Sequence, residues 1–121
     1  MPRFHHVNLG VPPGGLQAEM DFLVDLLGYR RVDPPASMQS MNINWFEADD
    51  GSQVHLSEDP EHQAAARAHT AIEFGDELDA MQARLDASSW KYTASDANPG
   101  LRVLFIKDPS GNRWELRGVS A

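Results

Sequence analysis

The sequence predicts an α+β fold built from two pseudo-symmetric β-α-β-β-β modules that follow one another along the chain. Three observations carry this. First, Gly51-Ser-Gln-Val-His-Leu56 aligns position for position with Gly111-Asn-Arg-Trp-Glu-Leu116, and His6-Val-Asn-Leu-Gly-Val11 aligns with His69-Thr-Ala-Ile-Glu-Phe74. Second, the spacings agree: 49 positions lead from His6 to His55 and 46 from His69 to Glu115. Third, all four segments alternate apolar with small or polar residues, the period of a strand with one covered face, while each half also holds one segment with apolar residues at helical intervals. Two copies of a unit imply a pair of modules rather than a longer array.

Phe4 to Val11 reads as the first strand, closed by the breaker cluster Pro12-Pro13-Gly14-Gly15. Leu16, Met20, Leu23 and Leu27, widened by Phe22 and Leu26, then recur at helical spacing up to Gly28, a natural C-terminal cap. Tyr29 to Val32 is a short strand and Asp33 to Ser40, with its paired prolines, a loop. Met41 to Glu47 is the third strand, and the turn Asp49-Asp50-Gly51 leads into the fourth, Gln53 to Ser57. The boundaries that follow are a first module at 1–57, a linker at 58–68 containing an alanine-rich stretch, and a second module at 69–121. In the second module His69 to Phe74 is a strand, Asp76 is placed to cap a helix with Leu78, Met81 and Leu85 on its buried stripe, and Trp90 to Thr93 and Leu101 to Lys107 are strands around a loop at 95–100.

The last strand follows the most informative stretch, Asp108-Pro-Ser-Gly-Asn-Arg-Trp-Glu-Leu116. Asp, Pro and Gly here suit the first, second and last positions of a type I turn. Alternation beyond the turn puts Arg113, Glu115 and Arg117 on one face and Trp114 and Leu116 on the other. The same parity recurs in the other strands. His6 opposes Val7, Leu9 and Val11; His55 opposes Val54 and Leu56; His69 opposes Ile72 and Phe74. In each strand the residue able to ligate a metal is on the less apolar face.

Composition narrows the function classes. At 121 residues the chain suits one domain or two half-size modules. A formal net charge of −8 argues against a nucleic-acid partner, which requires clustered Lys and Arg. No apolar run approaches the ~20 residues of a membrane span, and the N-terminus lacks a signal peptide's apolar segment, so a cytoplasmic location without membrane association is expected. The absence of Cys leaves only nitrogen and oxygen ligands for any metal.

Taken together, His6-Val7, Leu26-Leu27-Gly28-Tyr29, His69-Thr70-Ala71 and the Asp108 to Leu116 stretch resemble the vicinal oxygen chelate superfamily, which includes glyoxalases, bleomycin- and fosfomycin-resistance proteins, extradiol dioxygenases and epimerases. The resemblance covers nearly the whole chain. It implies two modules forming a curved mixed sheet around a metal-binding cleft, with His6, His69 and Glu115 at the recurrent ligand positions and His55 at a fourth, more variable one. A set of imidazoles and one carboxylate suits Ni, Zn, Co, Mn or Fe, any of which can chelate neighbouring substrate oxygens as a Lewis acid.

Other residues have candidate roles beside the ligands. Glu47 is a candidate general base, Arg102 a candidate contact to an anionic substrate, and Trp45 a candidate wall of an apolar pocket. His5 and His62 read as surface residues. A ligand at the His55 position leans towards a glyoxalase-like lyase or isomerase acting on a small molecule. The alternatives are an iron-dependent extradiol-type dioxygenase and a non-enzymatic protein that sequesters a drug or metabolite, as bleomycin-resistance relatives do. The resemblance also implies a homodimer, with modules paired within one chain or exchanged between chains.

Overall fold

The computed structural model describes residues 1–41, 43–95 and 100–119. The chain divides into two compact units, Met1–Gln63 and Ala64–Ala121. The first contains β1 (His6–Val11), α1 (Leu16–Asp21) continued by a π-helical turn at Phe22–Leu26, β2 (Arg30–Val32), a 3-10 turn at Ala36–Met41, β3 (Asn44–Glu47) and β4 (Gln53–Glu58). The second contains β5 (His69–Gly75), α2 (Leu78–Asp86), β6 (Tyr92–Ser95), β7 (Leu101–Lys107) and β8 (Arg113–Val119).

Both units have the same topology. The strand order is β1-β4-β3-β2 in one sheet and β5-β8-β7-β6 in the other. In each, the first and last strands pair in parallel and the remaining pairs are antiparallel. The registers also correspond. His6 pairs with Gln53 as His69 pairs with Arg113, and Asn8 pairs with His55 as Ala71 pairs with Glu115. The repeat seen in the sequence is therefore a repeat of strand pairing.

One face of each sheet is apolar and covered. In the first unit Val11, Phe46, Val54 and Leu56 are buried, with Phe22, Leu23, Leu26 and Leu27 from the helix. Gly28, at φ +90°, ends that helix in a backbone conformation that disfavours a β-carbon, and Tyr29 N–H donates to Leu23 O across it. In the second unit Leu104, Ile106, Trp114 and Leu116 are buried along with Leu78, Met81 and Leu85 of α2. The contact is close at Gly118, where a β-carbon would lie 2.5 Å from Leu78 Cβ.

The departures from the sequence expectations have local causes. The segment read as a loop at 33–40 contains the 3-10 turn, started by Met38 N–H donating to Pro35 O, so β3 begins at Asn44 rather than Met41. Residue 42 of that expected strand, and residues 96–99 of the expected loop at 95–100, lie outside the described residues. Asp76 does not cap α2. Glu77 is the N-cap, without a side-chain bond, because Glu77 N–H donates to Phe74 O in a turn through Gly75. β6 starts at Tyr92, since Trp90 N–H is held by Ser88 Oγ at the end of α2. Among the described residues no helix is long and apolar enough to cross a membrane.

Candidate metal centre

The turn that feeds β8 is built around Asp108, which is buried. Its Oδ1 accepts from Ser110 N–H and Asn112 N–H at 3.0 and 2.8 Å, and its Oδ2 accepts from the indole Nε1–H of Trp114 at 3.0 Å. Gly111, at φ +84°, closes the turn by donating its N–H to Asp108 O. Trp114 is thereby fixed on the covered side, and β-strand alternation turns Glu115 to the opposite face.

There Glu115 meets His69. His69 Nε2 lies 3.4 Å from Glu115 Oε1, and the other carboxylate oxygen lies 3.6 Å from Arg117 Nη1. His69 Nδ1 is 2.9 Å from Arg67 O. A carbonyl oxygen only accepts, so Nδ1 carries a proton and, in the neutral ring, Nε2 presents its lone pair to the carboxylate. Two lone pairs so placed need a cation between them or a second proton on the ring. Neighbouring ligand atoms each ~2.1 Å from one divalent ion stand roughly 3.0–3.4 Å apart, so the pair fits a metal. Phe105 pairs with Glu115 across the sheet and sets its ring edge-on to His69, centroids 6.0 Å apart.

The first unit holds the corresponding pair. His55 is buried and stacks between two rings: His6, with centroids 4.0 Å apart, and Trp45, at 4.2 Å and 4° from parallel. Trp45 pairs with His55 in the sheet, as Phe105 does with Glu115. Burial pushes the His55 imidazole down to about 4, with His6 and His5 adding to the effect, so the ring is neutral and able to ligate at pH 7. Its Nε2 bonds Gln53 Oε1 at 2.8 Å. Gln53 Nε2–H in turn donates to Glu47 Oε1 at 3.0 Å, which fixes the amide orientation and leaves Nδ1 as the lone-pair nitrogen of His55. The Trp45 Nε1–H is buried on this face with no acceptor among the described residues.

The predicted site residues thus occur as pairs within each unit, His6 with His55 and His69 with Glu115. Among the described residues no three His, Asp or Glu side chains are grouped so that they could hold one metal ion. Glu47 lies on the His55 face, its carboxylate 3.4 Å from Arg30 Nη2 as well as bonded to Gln53. Arg102 is on the other face of its sheet from Glu115, where its guanidinium bonds Asp79 and Gln82 of α2. Its Nη1 and Nη2 are thus engaged by the helix on that face. His5 is exposed, with Nδ1 2.9 Å from His6 Nδ1, and His62 is half-buried over Gly10. Gln53 and Arg113, equivalent in the repeat and adjacent to the ligand candidates, were not singled out from sequence. The parity of β8 already placed Arg113 beside Glu115, but its neighbours depend on register.

Fold and site together define a protein of paired β-α-β-β-β modules with imidazole and carboxylate donors on the polar sheet faces. The chain belongs to the Glyoxalase/Bleomycin resistance protein/Dioxygenase superfamily, whose family pattern matches residues 3–116. Comparison with curated protein sequences gives no match. Solved structures similar in fold include a glyoxalase family protein from Bacillus anthracis, at 21% identity and TM-score 0.88, covering 99% of this chain and 97% of that one. A glyoxalase/dioxygenase from Nostoc punctiforme is similar at 20% identity and TM-score 0.82, covering 98% and 92%. The fosfomycin resistance protein FosX from Listeria monocytogenes is similar at 16% identity and TM-score 0.78, covering 99% and 95%.

Proposed function

We propose that the protein is a divalent-metal-dependent enzyme of glyoxalase type, a lyase or isomerase acting on a small molecule with adjacent oxygen atoms. Its ligands in this reading are His6, His55, His69 and Glu115, and the protein works as a cytoplasmic homodimer. The observation that carries the proposal is the approach of His69 Nε2 to Glu115 Oε1, with Nδ1 already committed to Arg67 O. The bound ion, one of Ni, Zn, Co, Mn or Fe, would supply Lewis acidity to the substrate oxygens. The chain's own residues have separate parts. Arg117 holds one oxygen of Glu115 and leaves the other directed at His69. Trp45 backs His55 and offers its buried N–H as a donor on the same face. Glu47 is a positioning residue in this reading, orienting His55 through Gln53, since Arg30 and Gln53 occupy its carboxylate.

Metal analysis of tag-free protein tests the reading. Bound metal or stoichiometric uptake is expected, falling sharply in His69→Ala and Glu115→Ala. Absence of metal and of uptake, or uptake unchanged in the His69→Ala, Glu115→Ala double variant, refutes it. The Gln53 bond to His55 favours one second reading, a three-ligand set of His6, His69 and Glu115 as in iron-dependent dioxygenases. In that case His55→Ala retains metal, whereas under the leading proposal it weakens binding.

A further inference from the structure

We propose that the second unit carries an anion-recognition site, formed by Lys91, Lys107 and Arg113 beside Trp90 and Phe105, that takes a small molecule with a doubly negative head and an apolar or aromatic body. The assignment rests on this unit alone and stands whether or not the metal reading holds.

The starting point is a row of residues at one level of the sheet. Lys107 pairs directly with Arg113, and Arg113 pairs directly with His69. Lys91 immediately precedes Tyr92, whose partner is Ile106, so it falls opposite Lys107 at the end of β6. Three cationic side chains, Lys91, Lys107 and Arg113, therefore stand side by side at this level of the sheet, next to His69 on β5. Like charges directly opposite one another in a sheet are destabilising. Among the described residues no carboxylate lies within ion-pair distance of Lys91, Lys107 or Arg113.

The first unit shows what the same row looks like when its charge is balanced. The equivalent positions there are Arg30, Glu47, Gln53 and His6. Glu47 sits in the place of Lys107, 3.4 Å from Arg30 Nη2, and accepts from Gln53. The two rows share a backbone arrangement and differ in what balances their cations. In a chain of net charge −8 with only two lysines, both lysines lie in the second row.

The row also opens into a cleft of about 420 Å³, lined by Trp90, Lys91, Thr93, Phe105, Lys107 and Arg113 among others. The guanidinium carbon of Arg113 lies 4.4 Å from the centre of the Phe105 ring, so the group stacks on that ring and keeps its N–H edges for an acceptor. Three cations match a dianion, and the indole and phenyl rings offer a surface to an apolar body. Because the Phe105 ring also meets His69, a molecule seated here lies against the His69–Glu115 pair.

Calorimetric titration of the chelator-treated protein with phenyl phosphate, phthalate, inorganic phosphate and phenol tests the assignment. Saturable binding of phenyl phosphate or phthalate is expected, tighter than that of inorganic phosphate or phenol, and whichever of the first two binds better identifies the head group. Lys107→Gln and Arg113→Gln should each weaken binding about tenfold or more, the scale of one charge-assisted hydrogen bond. Arg31→Gln, which removes an exposed charge in the first unit, should leave it unchanged. No saturable binding, affinity no better than for inorganic phosphate or phenol, or equal binding by wild type and the Lys107→Gln and Arg113→Gln variants overturns the proposal.

Discussion

Replacing Asp108 by Asn isolates the group that sets the direction of β8. The side chain keeps its size, but one of its two acceptor atoms becomes a donor. Asp108 accepts three hydrogen bonds, from Ser110 N–H, Asn112 N–H and Trp114 Nε1–H, all at 2.8–3.0 Å, and is 4% exposed. Whichever way an Asn amide is turned, its NH2 faces a protein donor. A buried donor deprived of its acceptor costs about 1–3 kcal/mol, and the surviving bonds lose the strengthening that a carboxylate gives them. The expected loss is about 3 kcal/mol, or roughly 10 °C in Tm for a domain of this size. Thermal unfolding followed by circular dichroism measures it. Asp50→Asn is the internal control, because that side chain is exposed and accepts from Ser52 alone among the described residues, and its loss should stay within about 0.5 kcal/mol. A change below about 0.5 kcal/mol in Asp108→Asn would refute the view that this carboxylate holds the turn and Trp114 together.

Further measurements bear on other parts of the structure. Because the His55 pKa is about 4 when folded and 6.5 when unfolded, the unfolded chain binds a proton that the folded one refuses as pH falls from 6.5 towards 4; about 3 kcal/mol of stability, fully present above pH 6.5, is lost across that window, and NMR titration of the metal-free protein should find the ring neutral at pH 5.5. Gly118→Ala drives a β-carbon to 2.5 Å from Leu78 Cβ and 2.6 Å from Gly75 O, so denaturant unfolding should show a loss of about 2 kcal/mol or more. Arg30→Ala removes ion pairs to Glu47 and Asp49 from a side chain that is half exposed, and the same assay should register a change within about 1 kcal/mol.

The parts of this architecture that were legible in the sequence are those that depend on one strand at a time. Alternation assigned Trp114 and Leu116 to the covered face and Glu115 to the other, and both apolar side chains are buried. Repetition of His6 and His69, and of His55 and Glu115, forecast equivalent strand pairings. What the sequence left open depends on register and on competition between local bonds. Arg113 could be placed on the Glu115 face, yet its pairing with Lys107 follows only once β7 and β8 are aligned. Arg102 read as a candidate contact to an anionic substrate because nothing in its neighbourhood of the chain announces Asp79 and Gln82, which lie 20 or more positions back in sequence and meet it only once α2 packs on the sheet. The strand beginning at Met41 gave way to a turn because Pro35 O was available to Met38 N–H.

The parallel pairing of β1 with β4, and of β5 with β8, has a further consequence for how the polar faces come into being. Within each unit the two strands carrying the donor residues are the earliest and the latest to be synthesised, and they become neighbours only when the largest loop in that unit closes. An imidazole on β5 has no carboxylate beside it until β8 docks. Capacity to capture an ion should therefore arise late in refolding and vanish early when the final strand frays, whatever else of the unit survives.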